Sequence, residues 1–102
     1  MRRLPPALAA TATQRILEAL GPPPGRILEL GFAGIHAEPL RLAGFDVVVV
    51  DDTPAARERE PGALGAPPAL RFDAVVAPAG ADLSGVDAGR ALLVQRDGSV
   101  VG

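Results

Sequence analysis

The chain has no cysteine, tryptophan, tyrosine, lysine or asparagine, and only one histidine and three phenylalanines among 102 residues. Without cysteine there is no disulfide framework, no thiolate nucleophile and no cysteine-type zinc site, and one histidine argues against a histidine metal cluster within the chain. No metal is therefore expected. No stretch approaches the roughly 18 consecutive apolar residues of a membrane span. The weakly apolar start "MRRLPPALAA" is cut by Pro5, Pro6 and the polar "TATQR" before it reaches the length of a signal-peptide core, so the expectation is a soluble, cytoplasmic protein. A formal net charge of −2, spread along the chain, provides no basic footprint for a phosphate backbone. With few aromatic platforms as well, direct nucleic-acid binding is not expected. All ten basic residues are arginine, beside 12 glycines and 11 prolines, a bias that suggests a GC-rich and thermophilic source. The lysine enrichment of hyperthermophiles is missing.

What is present reads as one α/β domain over residues 1–102, with 48% apolar residues to build its core. Leu8, Ala12, Ile16, Leu17 and Leu20 recur at helical spacing, predicting a helix over about 5–20 that Gly21 and "PPPG" end. "RILEL" (26–30) is a short strand, followed by a turn with Gly31 and Gly34 and a helix over about 36–43, in which Pro39 lies early enough to be tolerated. Gly44 closes that helix. Asp46 to Asp51 is an unbroken β-branched run, typical of a strand buried on both faces. Thr53-Pro54 is a cap and first-turn pair for a short helix to about Glu60, with only alanine to pack it. Residues 61–71 read as loop, "FDAVVA" (72–77) and "RALLVQ" (90–95) as strands, and the glycine-rich link between them has room for one helical turn. Asp97-Gly98 is the preferred two-residue turn of a hairpin over 91–101. Strands alternating with helices predict a small Rossmann-like layered fold, mostly parallel, ending in an antiparallel hairpin.

In such sheets ligands sit beyond the carboxyl ends of the strands, where the strand order reverses. That places the turn 31–36, Asp51 and Asp52, and Pro78 to Gly80 in one crevice. A glycine turn lets backbone N–H groups approach a ligand, an acid twenty positions after Gly31 can accept bonds from ribose hydroxyls, and Glu29 carries a carboxylate at the strand end. Only Gly31 fits the GxGxxG pattern, because Ala33 and His36 hold the other two glycine positions, which disfavours a nicotinamide or flavin cofactor.

"ILELG" and "AGFDVVVVDDTPAA" resemble the first motif and second strand of the class I S-adenosylmethionine-dependent methyltransferases. "RFDAVVA" looks like that family's fourth strand and "RALLV" like its fifth. The resemblance covers about residues 5–95. It implies that Glu29 and Gly31 lie by the methionyl part of S-adenosylmethionine and that Asp51 holds the ribose; Phe32, Ala33, Gly34, Asp52 and Pro78 complete the candidate cofactor-binding set. Departures are also plain. Ala33 and Ile35 stand where the family prefers glycine, unless one residue has been deleted and Gly34 fills a glycine role; the family's third strand and the helix after it have no counterpart, and "PAGAD" replaces an Asn-Pro-Pro-type sequence. Methyl transfer would then need another chain to supply the substrate site.

Structural readings stand beside these functional ones. A strand-to-helix corner needs glycine with or without a ligand. Asp51 and Asp52 alternate sides, so they cannot both face one ligand, and either can serve a helix start or be solvated. Glu29 must find a partner if buried, with Arg71 or Arg26 available. His36 suits a capping or surface role, or a general base at the crevice rim. Asp73 belongs to strand-start geometry, and 57–60 to a solvated helix face. The runs "VVVV" and "AVVA" ask for cover on both faces, yet the chain offers helices for one, so a homodimer or partner protein over the other face is expected. Three functions remain open: binding of S-adenosylmethionine or a related nucleoside, a non-catalytic homo-oligomeric scaffold, and a regulatory nucleotide-binding module.

Overall fold

The computed structural model describes residues 6–102, with side chains from residue 10 onward. Pro5 and the side chain of Leu8, both used in predicting the first helix, lie outside the described residues. Helix α1 (Pro6–Leu20) turns Ala12 and Ile16 fully inward, and Gly21, at φ +75°, ends it with its N–H on the Leu17 carbonyl. Strand β1 (Arg26–Leu30) follows, then α2 (Ala37–Leu42). The end of α2 is a paired cap: Gly44, at φ +109°, donates to the Arg41 carbonyl, and Phe45 donates to Leu40. Gly44 is needed for space as well, since a Cβ there would lie 2.9 Å from Pro23 Cγ.

Strand β2 (Asp46–Val50) lies parallel to β1 in register Glu29 opposite Val49. Helix α3 (Pro54–Arg59) starts as the Thr-Pro pair predicts, with Thr53 Oγ1 accepting the Ala56 N–H at 3.2 Å, and Ala56 is its single buried residue. The expected strand over 72–77 is instead broken. β3 (Arg71–Phe72) leaves the main sheet to pair with β5 (Asp87–Ala88), whereas β4 (Ala74–Pro78) lies parallel to β1. Asp73 makes the break: its N–H donates to the Arg26 carbonyl at 2.8 Å and its carboxylate accepts the Arg26 N–H at 2.7 Å. No helical turn forms between β4 and β6 (Ala91–Val94); β5 and tight turns fill that link. β7 (Val100–Val101) pairs antiparallel with β6, as expected. The hairpin loop, however, is Arg96 to Gly98, three residues long, because Gln95 already donates to Ser99 and Gly98 takes φ +84°.

The five-stranded sheet runs β2-β1-β4-β6-β7, parallel apart from β7. It is a mostly parallel α/β architecture. One face is packed by α1 and α2, where Ala12, Ile16 and Leu40 meet Ile27, Val47, Val49, Val76, Leu92 and Val94. Arg90 fastens this layer by donating to the Ala19 carbonyl at the end of α1, 2.9 Å away. The other face carries Leu28, Val50, Val75 and Ala77, and here the sequence expectation needs correction. That face is not bare: Phe72 of β3 and Ala81, Leu83, Val86 and Ala88 from the irregular link cover much of it, leaving Leu30, Val48 and Leu93 half-buried. β2 departs from expectation too. Val47, Val49 and Val50 are buried as expected, but Val48 is only half-buried, so burial on both faces is incomplete, and the strand lies at the edge of the sheet. Among the described residues no helix is long and apolar enough to cross a membrane.

Candidate functional site

The strand order reverses between β1 and β4: β1 is followed by a neighbour on one side, β2, and the chain then returns to the other side. The turn after β1 lies at that reversal. It is unusually bent for four residues, with Gly31 at φ +79°, Ala33 at +53° and Gly34 at +80°. Ala33 is the only non-glycine with positive φ among the described residues, and the strain of its Cβ there is held by bonds on both its backbone groups. Asp51 Oδ2 accepts the Ala33 N–H at 2.8 Å, and Arg59 Nη1 donates to the Ala33 carbonyl at 3.1 Å. Gly34 leaves room for α3's far end: a Cβ on it would lie 2.7 Å from Glu60 Cγ. Glu60 is itself held by an ion pair with Arg41.

Two ionisable side chains are sealed beneath this turn. Glu29 follows Ile27 on the helix-covered face, by the period-two alternation of a strand, and is fully buried. Its Oε1 accepts the His36 backbone N–H at 3.3 Å, while Oε2 has no hydrogen-bond partner among the described residues. Burial pushes the carboxyl up to about 7; Glu60 adds to the rise, and the His36 amide, Arg41 and Arg59 oppose it. Neither Arg26 nor Arg71 partners Glu29. They pair at the surface with Asp46 and Asp87.

His36 departs most from expectation. It occupies the residue before α2 but makes no side-chain cap and is fully buried, not at the surface. Its Nδ1 lies 2.6 Å from Thr13 Oγ1 of α1, its Nε2 has no hydrogen-bond partner among the described residues, and Phe32 meets the ring edge-on at 4.9 Å between centroids. Burial lowers its pKa to about 4, so the imidazole is neutral at neutral pH. Thr13, a third member of this cluster, escaped sequence reasoning; the helical spacing places it beside Ala12 and Ile16, which is the one hint that it turns inward.

The structure thus brings together Glu29, Gly31, Phe32, Ala33, Gly34 and Asp51. Asp52 points away, as alternation requires, and pairs with Arg57 in the open. Pro78 ends β4, and its carbonyl accepts from Ala81, not from the turn. A groove of ≈ 460 Å³ lies on the outer side of the turn between α2 and α3, walled by Gly34, Glu38, Leu42, Arg59 and Glu60. Its mixed charges and open shape mark no ligand class. Among the described residues no group of three or more histidine or acidic side chains is placed to hold a metal ion. No protein-family model, curated protein or solved structure matches this chain.

Proposed function

We propose that the chain binds S-adenosylmethionine or a related nucleoside at the carboxyl ends of β1 and β4, in a minimal Rossmann-like domain resembling a truncated class I methyltransferase. The observation that carries this reading is the reversal of strand order at the Gly31 to Gly34 turn, with the Asp51 carboxylate bonded to that turn. The chemistry of the turn narrows the ligand. A carboxylate at Asp51 opposes a pyrophosphate, and suits a ligand that brings hydroxyl or ammonium donors. Asp51 has one oxygen on the Ala33 amide, and the other suits a ribose hydroxyl. Methyl transfer from this site requires a second chain to present the acceptor.

Thermal unfolding with millimolar S-adenosylmethionine, S-adenosylhomocysteine, ATP and NAD tests the proposal. A ligand at a hundred times its dissociation constant adds about 2.7 kcal/mol, a rise of several degrees for a domain this size. The rise is expected with the first two ligands and should vanish in Asp51→Ala. No shift with any of the four overturns it.

A second reading is a non-catalytic, homo-oligomeric scaffold, with the third a regulatory nucleotide module that would respond to ATP in the same experiment. The scaffold is favoured by how firmly the turn is also held by Arg59 and packed against Glu60. The half-buried Leu30, Val48 and Leu93 supply apolar surface for a second copy. Monomeric mass by light scattering at micromolar concentration would exclude it.

A further inference from the structure

The chain between β2 and β3 leaves the sheet and returns to the same place. The Asp51 N–H, just past the end of β2, donates to the Leu64 carbonyl at 3.0 Å, and the Leu64 N–H donates to the Val49 carbonyl at 2.9 Å, so the two ends of the excursion are bonded to each other. Residues 53–62 span that closed base, with α3 in their middle. They are packed thinly. Ala56 is the one buried residue among them, whereas Ala63, at the base, packs against the core under α1 and α2. A compact loop whose ends meet can move apart from the scaffold that carries it.

The far end of this segment rests on the glycine turn. Arg59 Nη1 donates to the Ala33 carbonyl at 3.1 Å from an exposed position. Glu60 lies against Gly34, where a Cβ would come within 2.7 Å of its Cγ, and its carboxylate pairs with Arg41 of α2. Arg41 is fixed from its other side by the Val47 carbonyl, 2.9 Å from Nη2. A glycine at such a turn gives a ligand room to approach the backbone. Here the Glu60 side chain fills that room. Lifting the segment costs little: one hydrogen bond from an exposed arginine, one ion pair and the burial of Ala56.

We infer that residues 53–62 form a lid over the Gly31 to Gly34 turn, hinged where Asp51 and Leu64 are bonded and held shut by Arg59 and Glu60, with the Glu60 side chain in the place a ligand takes at Gly34. That last element rests on the nucleoside reading above; the lid itself does not. Undocked, α3 cannot persist, because an isolated helix of six residues is unstable in water. Lifting the lid therefore melts it. The Arg57 and Glu60 amides then lose the Thr53 and Ala56 carbonyls, while the Leu64 amide stays on Val49.

Native-state amide exchange of the full chain, at rising urea below the unfolding transition, tests the lid. The Arg57 and Glu60 amides are expected to share one opening, equal in free energy and in urea dependence, and well below that of Leu64 and of β1. Arg59→Ala should quicken both by about tenfold and leave Leu64 unchanged. Protection at Arg57 and Glu60 equal to that of Leu64, or unlike urea dependences for the two, would overturn the lid, and the parent chain alone decides these should the variant not fold. So would an equal quickening of Leu64 in Arg59→Ala. Titration of S-adenosylhomocysteine into the parent and Glu60→Ala tests what lies beneath. About tenfold tighter binding to the variant is expected, and equal affinity overturns the place given to Glu60. Binding to neither overturns the nucleoside reading and the place of Glu60 with it, while exchange decides the lid without a ligand.

Discussion

The Glu29 carboxylate accepts the backbone N–H of His36 at 3.3 Å, joining two buried titratable residues whose proton affinities burial moves in opposite directions. Glu29, raised from 4.5 to about 7, binds its proton more tightly in the folded chain, so its contribution to stability is present below pH 4.5 and lost as pH rises to about 7. His36, lowered from 6.5 to about 4, does the reverse: its contribution is present above 6.5 and lost as pH falls to about 4. Between pH 4.5 and 6.5 the two slopes cancel. The parent chain should therefore show a nearly flat stability over that window. Glu29→Gln should gain stability with rising pH from 4 to 6.5, and His36→Gln should lose it from 4.5 to 7, each by about 3 kcal/mol. Urea denaturation at half-unit pH steps checks both slopes, and parallel profiles for the two variants would refute the assignment.

Gly34 combines positive φ with no room for a side chain against Glu60. Gly34→Ala should cost about 1 to 2 kcal/mol from the backbone alone, with more from the contact. Adding Glu60→Ala should return the steric part and leave the backbone part. A double variant no more stable than Gly34→Ala would show that crowding contributes nothing.

Ala33 shows the opposite balance, a Cβ held at φ +53°. Ala33→Gly should raise stability by about 0.5 kcal/mol, the relieved strain exceeding the added freedom of the unfolded chain. Asp51→Ala, which strands the Ala33 N–H, should lower it by about 1 to 3 kcal/mol. Equilibrium denaturation midpoints measure both.

Thr53 caps a helix with a single buried residue. Thr53→Ala should cost about 1 kcal/mol, and its signature should be local. Amide exchange at Arg57 and Glu60 should quicken, with β1 unchanged. Equal loss of protection in β1 would mean that α3 and the sheet open together.

Much of this structure could be read from residue order because the signals were local. Gly44 after an amphipathic turn, Thr53-Pro54 before a short helix, and the alternation of strand with helix each act within a few residues, and each element formed where they stand. What escaped was decided across the sheet. Nothing near Asp73 announces that its carboxylate will grip Arg26, 47 positions away, and so split one strand into two. His36 looks like a cap until Thr13 and Phe32 close around it. The valine run reads as a strand buried on both faces, but its position at the sheet edge and the half-exposure of Val48 depend on where later elements add. At the candidate site, the glycine turn and the acid after β2 were legible from spacing; their bond through Ala33 was not, because it needs the register of β1 against β2.

The bond from Arg90 to the end of α1 spans 71 positions, and α1 lies on Leu92 and Val94 of β6. During synthesis, therefore, the first helix leaves the ribosome long before the strand that receives it. Until residues 90–94 emerge, Ala12 and Ile16 have only part of their seat, and an incomplete chain holds an apolar helix face open to other proteins. Assembly of the core around α1 therefore waits for β6 and is completed only after chain elongation has passed it.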